Sequence, residues 1–297
     1  MLCAITISAS KAKRTSQLSP ALLTIHTALL QGTQLLEEGV IPAPRLTAEV
    51  LLAHALRKER IYLYAHSDEE LPEVAWIHYG RYLHERLQGK PTQYITHKQE
   101  FYGREFHVTR DVLIPRPETE HLVEAALERI RPGDRVFDAG TGSGAIAITI
   151  ALESKASVVA GDLSTAALKV AARNAQSLGA AVQWVASDLV SAFADRSLDV
   201  LVSNPPYVPK VDEPGLQREV RDWEPHLALF AGPTGLEIYE RLIGQACRVL
   251  RPGGWLLFEL GYNSLGPVES MLSEGWRDLE VKQDLAGFPR VMAVRLD

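Results

Sequence analysis

Between Ser19 and about Lys90, apolar side chains return every third or fourth position: Leu22, Leu23, Ile25, Leu29 and Leu30, then Leu46, Val50, Leu51, Ala55 and Leu56. That spacing lines up one face of a helix, whereas a strand would alternate. Ser19 followed by Pro20 predicts a helix start, Gly32 a stop, and Leu71 to Leu87 a further amphipathic helix ended by Gly89 and Pro91. Residues 19–90 thus read as a small all-α bundle of four or five helices. The pattern then changes: Tyr94, Ile95, Phe101, Tyr102, Phe106 and Val108 surround Gly103 and predict a β-hairpin linker over 91–116. From Pro117 a helical stretch over 118–130 opens a regular alternation. Strands are expected at 135–138, 157–160, 182–185, 198–203, 255–260, 278–282 and 291–295. Helices are expected at 144–154, 164–178, 235–250 and 265–274. Such alternation implies right-handed crossovers and a mostly parallel, twisted seven-stranded sheet, an α/β domain over 117–297.

Composition removes several classes of function. The chain has 297 residues with 31 Lys or Arg and 37 Asp or Glu, a formal charge of −6, which lacks the excess of positive charge that a phosphate backbone attracts. The 2 cysteines, Cys3 and Cys247, are too few for a disulfide framework and too far apart for a zinc cluster, in keeping with a reducing cytoplasm. No apolar run approaches the roughly 18 residues a membrane helix needs; Ala145 to Leu152 is cut off by Glu153. Residues 1–18 carry Lys11, Lys13 and Arg14 with no acid, a composition shared by transit peptides and disordered tails, and are expected to be a tail. His97, His107, His121 and His226 have no evident partners and read as surface or packing residues.

The chemistry gathers where strands should end. Asp138-Ala-Gly140-Thr-Gly142-Ser-Gly144 lies between a strand and a helix, where three glycines let backbone amides approach a ligand and the helix amino terminus favours an anion. The lysine of a nucleoside-triphosphate loop is absent. Asp162 follows the next strand, 24 positions after Asp138, where an acid accepts from ribose hydroxyls in doubly wound nucleotide sites. Asp188, before Leu189, ends the third strand and is placed to accept from an adenine amino group. The most specific stretch is Asn204-Pro205-Pro206-Tyr207: two prolines fix the backbone and remove two donors. The Asn204 oxygen and Pro205 carbonyl can then accept from one planar NH2 group, with Tyr207 offering a ring to stack on it.

These residues together resemble the class I S-adenosylmethionine-dependent methyltransferases that modify planar nitrogen. Ile114-Pro-Arg-Pro-Glu-Thr-Glu120, Glu224-Pro225 and Arg251-Pro-Gly-Gly254 narrow the resemblance to the HemK/PrmC-type release factor glutamine methyltransferases, over residues 19–297. The resemblance implies a Rossmann-like domain behind a helical domain that binds release factors, with S-adenosyl-L-methionine as cofactor. It also implies methyl transfer to the side-chain nitrogen (N5) of the glutamine in the Gly-Gly-Gln loop of class I peptide chain release factors, tuning translation termination. Carried across, Gly140, Thr141, Gly142, Ser143 and Gly144 lie against the methionyl part, Asp162 holds the ribose, and Asp188 with Leu189 frames the adenine. Asn204, Pro205, Pro206 and Tyr207 hold the glutamine, Asn204 also bordering the cofactor. Phe101 closes over the cofactor, and Arg116 to Glu120 wall that side. No membrane, direct nucleic-acid or metal partner is expected. Three other readings stay open: methylation of adenine N6, methylation of a glutamine in a ribosomal protein, and a non-catalytic cofactor-binding partner of the release factor.

Overall fold

The computed structural model describes residues 23–297. The expected tail over 1–18 and the helix start at Ser19-Pro20 lie outside the described residues. Two compact units divide after Leu83.

The first unit contains α1 (Ile25–Glu38), α2 (Pro44–Leu56) and α3 (Arg60–Ala65), and the chain passes out of it along α4 (Glu73–Leu87). Thr24 caps α1 through a reciprocal capping box with Thr27. Ile25, Ala28, Leu29 and Leu36 bury the face that the periodicity marks. Gly32 does not stop this helix, which runs on to the cap at Gly39. Its lack of a side chain serves packing, since a Cβ there would sit 1.9 Å from the hydroxyl of Tyr79, itself fully buried. Gly32→Ala should therefore destabilise this unit by about 2 kcal/mol, as overpacking does, although helix propensity alone favours alanine. Urea unfolding followed by circular dichroism checks the sign, and adding Tyr79→Leu should recover part of the loss.

The second unit opens with α5 (Thr92–Thr96), so Tyr94 and Ile95 are helical and not part of the hairpin; Pro91 starts the turn and both side chains are buried. The hairpin is confined to β1 (Lys98–Phe101) and β2 (Arg104–His107), antiparallel about Tyr102-Gly103. A short 3-10 turn over Pro117–Thr119 leads into α6 (Glu120–Leu127). That helix is shorter than expected, because the Arg129 guanidinium bonds the Ala125 carbonyl and closes its end. There follow β3 (Arg135–Ala139), α7 (Ala145–Glu153), β4 (Ser157–Asp162), α8 (Thr165–Leu178), β5 (Val182–Ala186) and β6 (Leu198–Ser203). An excursion then carries the two-residue β7 (Val208–Pro209), α9 (Arg218–Trp223), α10 (His226–Leu229) and β8 (Phe230–Gly232). The chain finishes with α11 (Glu237–Val249), β9 (Leu250–Glu259), α12 (Leu265–Glu269), β10 (Trp276–Gln283) and β11 (Pro289–Leu296).

The main sheet has seven strands in the order β10-β11-β9-β6-β3-β4-β5, parallel except where β11 pairs with both neighbours. Both faces are covered, and alternate residues feed two separate cores. Val136, Val200, Val202, Leu257 and Val291 pack beneath α6 and α7. Phe137, Leu201, Leu256, Phe258 and Met292 pack beneath α11. Burial on both sides is why these strands read as continuous apolar runs.

Candidate functional site

The strand order creates the site. The chain runs outward from β3 through β4 to β5, then returns across β3 to β6, so its direction reverses between β3 and β6. In open parallel sheets the crevice beyond the carboxyl ends at such a reversal is where ligands bind. Ala139 and Ser203 are register partners at the ends of these two strands. The next residues are Gly140 and Asn204, and both line a cavity of about 330 Å³.

Asp138, wholly buried, organises the first wall. Its Oδ2 accepts from the Thr141 hydroxyl at 2.6 Å and from the Ala147 amide at 3.2 Å, tying the glycine turn to the start of α7. Burial pushes its carboxyl up to about 7, with the neighbouring Asp162 charge adding to the rise. The amides of Gly140 and Thr141 both donate to the Gly161 carbonyl at 2.9 Å. Gly142 donates to Asp162 Oδ2 at 2.9 Å, while Asp162 Oδ1 takes the Ser164 amide at 2.8 Å. Gly140 and Gly142 both have positive φ, and a Cβ on either would meet no protein atom within 4 Å. The backbone of the turn therefore faces open cavity. Asn174, buried on α8, braces it from behind: its amide nitrogen bonds the carbonyls of Ser143 and His107, and its oxygen takes the His107 amide.

Of the residues expected at the site, Gly140, Gly142, Asp162, Asp188, Leu189, Asn204 and Pro206 line this cavity. Asp188 is already engaged, since Arg241 from α11 meets it at 2.6 Å. Leu189 sits at φ 49°, a constrained conformation beside the cavity. Thr141 and Ser143 are buried within the turn, and Gly144 is the residue that begins α7. Pro205, between Asn204 and Pro206, is buried.

Two expectations need correction. Phe101 does not close over the cavity: it is buried edge-to-face against Phe106, ring centroids 6.0 Å apart, in the core beneath α6 and α7. The hairpin gains more by burying this ring than by exposing it over a cleft. Tyr207 offers no stacking face either. Its ring packs against Gly261 and the opposite core, and its hydroxyl donates to Glu259 Oε1 at 3.2 Å. The four histidines all have partners: His97 bonds the Val108 carbonyl, His107 Arg173, His121 Glu124 and His226 the Arg221 carbonyl.

Sequence reasoning missed the residues that set Asn204. The Asn204 Nδ2 donates to Thr119 Oγ1 at 3.1 Å, and the Thr119 hydroxyl donates to Glu259 Oε2 at 2.6 Å. Thr119 and Glu259 are both buried. Burial pushes the Glu259 carboxyl up, against the two hydroxyl donors and the Arg290 charge that pull it down. The one trace in the chain is a lone acid set inside the apolar run Trp255 to Leu260. Arg110, Asp111, Phe230 and Arg241 also reach the cavity. Arg116, in the proline-rich motif, pairs with the buried Glu224.

A doubly wound seven-stranded sheet, a glycine turn open to a cavity at its reversal point and an acid at the end of the next strand form a nucleoside-binding site, and the match of residues 118–218 to the methyltransferase small domain makes this a class I S-adenosylmethionine-dependent methyltransferase. A solved methyltransferase from Pyrococcus furiosus shares the fold, with a TM-score of 0.51 at 17% identity over 66% of this chain and 90% of that one. The family models for the PrmC N-terminal domain and for the methyltransferase small domain match residues 27–96 and 118–218. A release factor glutamine methyltransferase of Koribacter versatilis is 44% identical over 278 residues, covering 92% of this chain and 99% of the relative. Another, from Nitratidesulfovibrio vulgaris, is 43% identical over 92% of this chain and 95% of its own. The chain belongs to the release factor glutamine methyltransferase family.

Proposed function

We propose that this enzyme methylates N5 of the glutamine in the Gly-Gly-Gln loop of class I peptide chain release factors, in the cytoplasm, and so tunes translation termination. The observation that carries the reading is the Asn204 carboxamide: it stands at the cavity, its nitrogen is committed to Thr119, and its oxygen is left to accept. Among the described residues no helix is long and apolar enough to cross a membrane.

The residues present fit S-adenosylmethionine. Gly140 and Gly142 leave room for the methionyl part, Asp162 would take the ribose hydroxyls, and Leu189 with Asp188 would border the adenine. When bound, the cofactor supplies an electrophilic methyl group on a sulfonium. The protein must present a nitrogen to it, and an amide nitrogen is a poor nucleophile because its lone pair is delocalised. The Asn204 oxygen and the Pro205 carbonyl accept its two hydrogens, orient the lone pair and favour the positive charge that grows on nitrogen as the N–C bond forms. Pro205 and Pro206 hold these acceptors rigid and bring no amide to compete. On transfer the electron pair of the S–C bond would stay on the departing thioether, and the methylated nitrogen would release its extra proton to solvent water.

Mass spectrometry of a release factor incubated with enzyme and S-adenosylmethionine tests the reading. One methyl on the Gly-Gly-Gln glutamine is expected; methylated nucleic acid or ribosomal protein with an untouched loop overturns it. At the cofactor end, Asp162→Ala should weaken S-adenosylmethionine binding about 30-fold in calorimetry, through loss of charge-assisted bonds to two hydroxyls.

A further inference from the structure

An asparagine carboxamide has two nearly isosteric ends, and only one orientation of Asn204 presents an acceptor to a substrate NH2 group. The reverse orientation would set NH2 against NH2. Its direction is decided outside the cavity. Glu259 ends β9 next to β6, one step beyond the register pair Ser203 and Phe258, which brings its carboxyl behind Asn204. Thr119 lies between them, arriving from the 3-10 turn ahead of α6. A hydroxyl has a single proton, and at 2.6 Å from Glu259 Oε2 that proton is directed to this carboxyl oxygen. Toward Asn204, 3.1 Å away, Thr119 is left only able to accept. The other carboxylate oxygen is held by the Tyr207 hydroxyl at 3.2 Å, and the Glu259 carbonyl by the Tyr239 hydroxyl at 2.9 Å, so the acceptor is fixed at both ends.

We propose that Glu259 and Thr119 are positioning residues for methyl transfer: by taking the Thr119 proton, Glu259 makes Thr119 an acceptor and thereby turns the Asn204 oxygen, not its NH2 group, toward the substrate. This rests on the proposed role of Asn204 in holding the glutamine carboxamide. It explains why a carboxyl side chain is buried at the end of an apolar strand, away from the cavity lining. It also explains why Tyr207 faces Glu259 and not the substrate.

The test compares Thr119→Val, Thr119→Ser and Glu259→Met in the full-length enzyme with a release factor as substrate. Thr119→Val leaves the Asn204 nitrogen without its acceptor; Glu259→Met frees the Thr119 proton to turn toward Asn204. Each should slow single-turnover methylation about tenfold while S-adenosylmethionine affinity stays within about twofold, and the double variant should be no slower than the worse single one by more than about twofold. Thr119→Ser should restore the rate. The side-chain NH2 signal of Asn204 in nitrogen-15 spectra, assigned by its loss in Asn204→Ala, should be protected from exchange in the wild type and Thr119→Ser and unprotected in Thr119→Val. Wild-type rates in Thr119→Val and Glu259→Met overturn the proposal, as does failure of Thr119→Ser to restore activity. If Asn204→Ala itself methylates normally, the reading of the site fails; if it is inactive while Thr119→Val and Glu259→Met are not, only the present inference fails.

Discussion

Asn204→Ala should lower the single-turnover rate of glutamine methylation about a thousandfold and leave S-adenosylmethionine binding within about threefold of the wild type. The magnitude follows from where the acceptor acts. A preorganised dipole aimed at charge that grows only in the transition state contributes far more to rate than to ground-state binding, and Asn204 is the cavity residue whose oxygen is free for that task. Its neighbours are prolines without amides, and water entering the vacated space would be neither fixed in place nor selectively accepting. Asn204→Asp separates chemistry from shape. It keeps an acceptor without an orientation to choose, so it should retain more activity than alanine. It also sets a second carboxyl near the Thr119 and Glu259 pair, so it should remain about tenfold slower than the wild type. Quenched-flow methylation with tritiated cofactor measures both. Equal rates for the alanine and aspartate variants would remove the acceptor from the mechanism.

How far such a site can be read from the chain depends on how far its parts lie apart along it. The ends of β3, β4 and β6 are legible because each strand is an apolar run that stops at a glycine, an acid or an asparagine, and a doubly wound sheet brings those stops to one edge. Gly140, Asp162 and Asn204 meet for that reason. The support behind Asn204 is not legible in this way: its hydrogen bonds join residues 85, 140 and 52 positions apart, distances that no periodicity expresses. Tyr207 shows the same limit from the other side. Its place in a motif predicts a stacking face, but the choice between cavity and core turned on a partner, Glu259, that lies 52 positions further along the chain. Gly32 and Phe101 depart from expectation because a glycine and an aromatic are each compatible with two roles. A buried tyrosine on another helix decided the first, and a neighbouring ring on the hairpin decided the second.

Arg116→Ala should destabilise the methyltransferase unit by about 3 kcal/mol at pH 8, and progressively less as the solution is acidified. Arg116 is held between Pro115 and Pro117, and its guanidinium meets Glu224 Oε1; the Glu224 side chain is only 1% exposed and its Oε2 has no hydrogen-bond partner. Removing the arginine strands a carboxylate in the interior. Burial already pushes the Glu224 carboxyl above its ordinary 4.5, and the arginine is the main influence pulling it down, so the variant's carboxyl rises further. A carboxyl with a raised folded pKa binds more protons folded than unfolded. Stability therefore falls as pH climbs from about the unfolded value through the folded one. In the variant that loss extends to higher pH, so the deficit against the wild type widens only above the wild type's own raised value and closes below it. Glu224 is followed by Pro225 and α10, and Pro225, Leu227 and Ala228 line the cavity, so cofactor affinity should weaken together with stability. Replacing both partners by apolar residues of similar size, Arg116→Met with Glu224→Leu, removes the stranded charge and should recover most of the loss. Urea titrations at pH 5 and pH 8 decide the matter: an equal deficit at both would mean that Arg116 acts through packing alone.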